Sequence, residues 1–331
     1  MDEIITLDYG SGGKKTSRLI ESIIVPALDN PALSELGDGA VIPGAERLVF
    51  STDSFVVDPI SFPGGSIGKL AVCGTVNDIA VCGGEPKYLS CSFIIEEGFP
   101  ADGLRQVVGA MREAGIKAGV QIVTGDTKVV ERGRGDKIYI NTAGIGYLKY
   151  PGLGPRAICP GDKVIVSGTV GDHGTAVMLA RSGMMRGDIS SDCAPLNGLC
   201  GAVLESGPVH ALRDPTRGGV ATTLNEFVEG TELCIELWEN NIPVRGEVRA
   251  ACDMLGLDPM YCANEGKVLA VVPAENAEKA LAAMRGHEFG REAEIIGEVS
   301  RKYPGKVVMH TELGGSRIMQ KLAGAQLPRI C

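Results

Sequence analysis

The chain ends on Cys331, at the tip of the segment Gly324-Ala325-Gln326-Leu327-Pro328-Arg329-Ile330-Cys331, and a thiol in that place could carry a substrate covalently. Pro328 removes a backbone donor and forbids a helix, and Gly324 loosens the approach, so residues 324–331 are expected to form a mobile tail. Eight extended residues reach about 26–29 Å, enough to bring a sulfur into a neighbouring active site. A frayed terminus that happens to end in Cys is the competing reading.

Four aspartates share a setting: Asp38 in Gly37-Asp38-Gly39-Ala40, Asp53 in Ser51-Thr52-Asp53-Ser54, Asp78 in Val76-Asn77-Asp78-Ile79 and Asp126 in Thr124-Gly125-Asp126-Thr127. Each stands at the edge of an apolar element beside small or hydroxylic residues. Carboxylates with such neighbours leave room for hydrated magnesium, which takes oxygen ligands and keeps several waters. Singly, each also suits a turn or a cap.

The run Gly10-Ser11-Gly12-Gly13-Lys14-Lys15-Thr16 offers exposed amides followed by cations, a chemistry that wraps phosphates. It is not a Walker A loop, because Asp8 stands where that pattern needs Gly; a flexible leader is the alternative. Arg213-Asp214-Pro215-Thr216-Arg217-Gly218-Gly219 precedes a helical stretch, and the free amides there, with Arg217, suit an anion. Asp214 could equally cap the turn. Glu265, in Asn264-Glu265-Gly266-Lys267, leads into an apolar strand where burial would raise its pKa toward general-base duty, unless it is a solvated loop residue.

The elements that must position these groups alternate in the first half. Strands are expected at 47–57, 87–96, 120–124 and 138–148, with helices at 67–83 and 102–118. In the second helix Leu104, Val107, Val108, Met111 and Ala114 share one face. Two Pro and two Gly within 149–156 break the pattern, so the first domain is placed at 1–150 and the second at 157–323. The second half reads as strands near 162–167, 233–238, 267–272 and 294–299 with helices near 173–184, 199–211, 218–229, 246–255 and 274–285. That mixture, without a strict strand-helix-strand rhythm, makes the fold class α+β.

With 41 acidic against 32 basic residues and a formal charge of -9, the chain is a poor partner for nucleic acid or an anionic membrane surface. The acidic start Met1-Asp2-Glu3 lacks the features of a signal peptide, and no run of eighteen apolar residues exists, so a cytoplasmic protein is expected. Ten scattered cysteines without a Cys-x-x-Cys pair, and four histidines, argue against structural zinc.

Taken together, Gly37-Asp38, Thr52-Asp53-Ser54, Asn77-Asp78-Ile79, Gly125-Asp126-Thr127-Lys128 and Asp214-Pro215-Thr216-Arg217-Gly218-Gly219 resemble the ATP-using superfamily of aminoimidazole ribonucleotide synthetase, the PurM-like proteins. Within it the chain is most similar to the hydrogenase maturation HypE family, over essentially its whole length, including residues 65–78 and the terminal Pro328-Arg329-Ile330-Cys331. Tyr9 departs from the pattern, standing where that family's leader usually has His.

The resemblance implies a two-domain PurM-like fold, a homodimer through the first domains with ATP near that interface, and one reaction. A carbamoyl group is received on the terminal cysteine from the carbamoyltransferase HypF. ATP drives its dehydration to a thiocyanate, and the cyano group passes to a HypC-HypD complex as a cyanide ligand of nickel-iron hydrogenase. On that reading Cys331 carries the substrate, and Glu265 and Lys128 take the protons. Asp38, Asp53, Asp78 and Asp126 hold magnesium on ATP. Gly10, Ser11, Gly12, Gly13, Asn77, Thr127, Asp214, Arg217 and Gly218 bind the nucleotide. The α-carboxylate should raise the Cys331 thiol pKa, with Arg329 placed to offset part of this. Competing readings are a selenophosphate synthetase, a small-molecule kinase, or a carrier without catalysis. The first expects Cys beside the glycine-rich leader, whereas the first cysteine here is Cys73.

Overall fold

The computed structural model describes residues 4–11, 13–37, 39–183, 188–322, 324 and 329–331. Helical segments Lys14–Leu19 (α1), Val25–Leu28 (α2) and Pro31–Ser34 (α3) precede strand Leu48–Phe55 (β1). The two-residue strands Ser61–Phe62 (β2) and Gly65–Ser66 (β3) lead into helix Ile67–Val81 (α4), strand Gly84–Glu96 (β4), helix Ala101–Ala118 (α5) and strands Gln121–Val130 (β5) and Ile138–Leu148 (β6). These form a four-stranded sheet in the order β1-β6-β4-β5. β4 and β5 run parallel, which requires a crossover, and α5 supplies it.

Alternation along the strands decides what each face does. Phe55, Leu89, Cys91, Phe93, Ile95, Ile138 and Ile140 point inward onto α4 and α5. The expected face of α5, Leu104 to Ala114, is buried there. On the opposite face of the sheet Leu48, Phe50 and Ile94 are exposed, Phe50 at 69%.

The second half builds a seven-stranded sheet from Lys163–Val166 (β7), Ala211–Arg213 (β8), Cys234–Trp238 (β9), Leu269–Val272 (β10), Glu294–Ser300 (β11), Lys306–His310 (β12) and Ser316–Met319 (β13), in the order β13-β12-β9-β11-β7-β10-β8. Its helices are Asp172–Ser182 (α6), Asn197–Glu205 (α7), Gly219–Val228 (α8), Gly246–Leu255 (α9) and Ala277–Arg285 (α10). Val164, Val166, Leu269 and Val271 pack on the side of α8, while Ile165, Ala270 and Val272 pack on the side of α7 and α10. Central strands covered on both faces read as continuous apolar runs, as these do.

Three expectations change. The helix foreseen over 199–211 stops at Glu205, because Gly207 takes φ +148° and Pro208 follows; Ala211–Arg213 then joins the sheet as β8. The strand foreseen over 120–124 continues to Val130, after a register shift where Leu89 and Ser90 face Ile122 and Thr124. Nor is the tip of the tail loose: Ile330 is 2% exposed within the first domain's core cluster, and its burial anchors the chain end.

A candidate active site between the two domains

α4 is the axis of the site. Thirteen of its fifteen residues are buried between the four-stranded sheet and the second domain. Its Gly74 lets the Phe55 ring approach, and the Thr75 hydroxyl meets that of Thr142 at 2.6 Å, pinning helix to β6. One turn on, Asp78 accepts a 2.7 Å hydrogen bond from Ser51 of β1, and Asp53 lies two residues along the same strand face. Burial raises both carboxyl pKa values, and the charge of Asp53 raises Asp78 further.

The tail closes over this pair. The Val56 amide donates to Cys331 O at 3.0 Å, the Asp58 amide donates to Arg329 O at 3.3 Å, and Arg329 Nε donates to Val56 O at 2.9 Å. From α6, Arg181 Nη2 reaches Arg329 O at 2.7 Å, and His173 Nε2 lies 2.8 Å from Ile330 O. Burial, with Glu265 and then Asp53 beside it, pushes the Cys331 thiol up to about 12 against the pull of Arg217. The seated sulfur is therefore a thiol, not a thiolate, at neutral pH. Arg329 does not offset this, because its guanidinium is spent on Asp136 at 2.6 Å. Arg217 is the cation that faces the thiol, and among the described residues it makes no ion pair.

Glu265 is 3% exposed and its pKa is raised well above 4.5, first by burial and then by Asp214, Asp192 and Asp53. Asp214, also buried, is raised to about 7 by burial and by the charge of Asp78. Four carboxyls with raised pKa values are thus linked in this region, and two of them, Glu265 and Asp53, act on the thiol. Among the described residues, however, no three His, Cys, Asp or Glu side chains stand close enough to hold a metal by themselves.

The glycine-rich leader lies elsewhere, its Gly10 against β5. Gly10 has no room for a Cβ, which would meet Val129 N at 2.5 Å. Gly10, Thr16, Ser17, Gly125, Asp126, Thr127 and Lys128 line a cavity of about 360 Å³. Ser11 folds back on Asp8 O at 2.9 Å, and Gly13 starts α1. Tyr9, 1% exposed, packs in the core under Lys15, whose Nζ is 5.5 Å from the ring centroid.

The three described aspartates do not converge in one chain. Asp53 is in register with Thr142, Thr142 with Cys91, and Cys91 with Gly125, on the inner face; Asp126 is in register with Ser92, on the outer face three strands away. Lys128 keeps to that outer edge and contacts both Asp126 oxygens at 2.6 Å, lowering the Asp126 pKa, instead of meeting Glu265. Asp38 and Gly12 lie outside the described residues. Asn77 is 1% exposed and joins the domains, donating to Ala194 O at 3.1 Å and accepting from the Leu196 amide at 2.7 Å, so its amide faces main chain instead of a ligand. Asp214 interacts electrostatically with Asp78, Asp53 and Glu265, and it does not line the cavity beside Gly10. Gly218 takes φ +81° at the start of α8, beside Arg217.

Two family models match the chain: AIR synthase related protein, N-terminal domain, over residues 36–148, and the C-terminal domain of the same over 159–310. Carbamoyl dehydratase HypE of Azotobacter vinelandii is 49% identical over 335 aligned positions, covering 99% of this chain and 97% of that protein. The chain belongs to the HypE family of carbamoyl dehydratases. The crystal structure of a hydrogenase maturation protein HypE in complex with ATP superposes with a TM-score of 0.95 at 48% identity, covering 98% of this chain and 99% of that one. A HypE chain from a HypE-HypF complex matches at 0.80 and 48%, over 92% and 99%.

Within this HypE-family site, sequence reading did not find His173, Arg181 or Asp192. A lone His in the first turn of a helix carries no signal, and its meaning here comes from a contact 157 residues away. Among the described residues no helix is long and apolar enough to cross a membrane.

Proposed function

We propose that this chain is an ATP-dependent dehydratase acting on its own C-terminus, converting a carbamoyl group on Cys331 to a thiocyanate. The observation that carries the reading is Cys331 seated beside a buried Glu265 with Arg217 facing both the thiol and Asp53. A carbamoyltransferase of the HypF type loads the sulfur while the tail is out, since the seated thiol is held protonated near pKa 12. Once the loaded tail seats, the carbamoyl oxygen attacks the γ-phosphoryl of ATP as Glu265 takes one N–H proton, leaving an O-phosphorylated imidate and ADP. Loss of phosphate together with the second N–H proton then forms the C≡N bond. Phosphorylation is needed because an amide oxygen leaves very poorly by itself. The cyano group goes to an acceptor of the HypC-HypD type, and the protein works in the cytoplasm.

The oxygens of Asp53 and Asp78 fit magnesium, because two half-buried carboxyls disfavoured as anions are relieved by a hard cation. Bound there, the ion supplies charge screening for the phosphate oxygens. Asp126 joins this set from a second copy. The exposed face bearing Leu48, Phe50 and Ile94 suits an isologous contact. With the two-fold axis along the strands, β1 of one copy lies over β5 of the other. β1 is the edge of its sheet, so the pair Asp126 and Lys128 reaches the partner's thiol by passing round that edge, and Lys128 then takes the second proton.

Two measurements test this. Mass spectrometry of the C-terminal peptide, after supply of HypF and carbamoyl phosphate, should show a gain of about 43 Da that falls to about 25 Da once ATP and magnesium are added. A carbamoyl adduct that persists under those conditions contradicts the reading. For the dimer, Asp53→Asn and Asp126→Asn are each expected to be inactive, while the mixture after subunit exchange recovers about a quarter of wild-type activity, because half the dimers are mixed and each holds one intact site. No recovery, with exchange verified, would mean that each site is built within one chain.

A further inference from the structure

His173 sits in the first turn of α6 with no exposed surface. Its Nδ1 lies 2.8 Å from Ser191 Oγ and its Nε2 2.8 Å from Ile330 O. A carbonyl only accepts, so Nε2 carries the hydrogen and Nδ1 accepts from the Ser191 hydroxyl. That hydroxyl in turn accepts from the Cys193 amide at 3.1 Å. Burial keeps the ring neutral, in keeping with this single tautomer. Ser191 is itself fixed, its amide donating to Pro63 O at 2.8 Å.

The next residue holds the base. Asp192 Oδ1 accepts from the Glu265 amide at 3.0 Å, and its Oδ2 accepts from Lys267 Nζ at 3.1 Å. Consecutive residues 191 and 192 therefore hold both the tail, through His173, and the backbone of the base. We propose that His173 is a positioning residue that sets the loaded Cys331 in register with Glu265, with Ser191 and Asp192 as the shared frame. This rests on the dehydratase reading. The grip is on a main-chain carbonyl one residue before the sulfur, so it fixes the depth of the tail whatever group the thiol carries. Misplacement of a reacting group by about 1 Å is enough to cost on the order of a hundredfold in rate.

The test compares His173→Asn with His173→Gln in the full chain. Asn keeps an acceptor for Ser191 and falls short of Ile330, whereas the Gln amide reaches the Nε2 position. For the Asn variant the expected result is a split. Single-turnover dehydration of the preloaded carbamoyl form slows at least about tenfold, loading by HypF is unchanged or faster, and iodoacetamide labels Cys331 several times faster without nucleotide. The Gln variant should return dehydration to within about threefold of wild type. Equal dehydration and equal labelling in the Asn variant and wild type would overturn the proposal, as would a Gln variant indistinguishable from Asn. If the Asn variant does not fold, Ser191→Ala, which leaves the ring and removes its partner, reads the same split. Labelling needs no chemistry at the carbamoyl group. A wild type that fails to dehydrate would therefore count against the dehydratase reading, while the labelling comparison still decides the role of His173.

Discussion

Cys331→Ser is expected to abolish the carbamoyl adduct on the C-terminal peptide, and with it every later product, a loss of at least about 10³-fold because an unactivated hydroxyl is a far weaker nucleophile than a thiolate. Little else should change. The thiol makes no hydrogen bond among the described residues, and what seats the tail is the main chain of residues 329–331 with the Arg329 and buried Ile330 side chains. Nucleotide affinity and melting temperature should therefore match the wild type. The exposed thiols, Cys82 and Cys159, lie on peptides that mass spectrometry separates from the terminus. Adduct formation on either at the wild-type rate would show that the tail is not the carrier. In the wild type, docking itself should regulate loading. With the thiol at about 12, its thiolate fraction at neutral pH is roughly a thousandfold below that of an ordinary cysteine. Capture must pass through the undocked state, and the partner enzyme must bind the tail there.

What the sequence made legible was chemistry, and what it hid was placement. Asp53 and Asp78 were readable as oxygen ligands because small and hydroxylic neighbours surround them, and they do meet, across β1 and α4. Asp126 has the same local signature and stands on the other face of the sheet. The register shift before Ser90 and Thr124 settles which face it takes, and no local pattern announces such a shift. The resemblance assigns Asn77 to the nucleotide along with its neighbour Asp78, yet a helix turns neighbours by about 100°, which aims Asn77 at the second domain while Asp78 faces β1. The tail shows the same limit. Pro328 and Gly324 argued for mobility, while Ile330 beside the terminal Cys was the overlooked signal, an apolar side chain that gains by burial. β12 and β13 were missed because each is short, although the Val-Val-Met of β12 follows a Pro-Gly turn.

Glu265→Gln is expected to uncouple the two halves of the reaction and to make the protein more stable. Gln is nearly isosteric and leaves the hydrogen bond from the backbone N–H of residue 265 to Asp192 Oδ1 in place, so the tail should still load and seat. Without a carboxylate to take the first proton, the gain of about 43 Da should persist in the presence of ATP and magnesium, with dehydration slowed about 10²- to 10⁴-fold. The stability effect follows from linkage. Glu265 has a folded-state pKa above its ordinary 4.5, raised by burial and by Asp214, Asp192 and Asp53, so the folded chain holds this proton more tightly than the unfolded one. A carboxyl of that kind costs nothing well below pH 4.5. Its cost grows as pH rises above the unfolded value and levels off only past the folded one. The Gln variant escapes that cost, and without magnesium at pH 7–8 it should melt higher than wild type by about 2 °C or more. The gap should close as pH falls toward 4. A variant that dehydrates at the wild-type rate would remove Glu265 from the mechanism. One that melts lower at pH 7–8 would show that its carboxylate is paired in the folded chain, and the buried site could not then serve as a base held ready at the cost of stability.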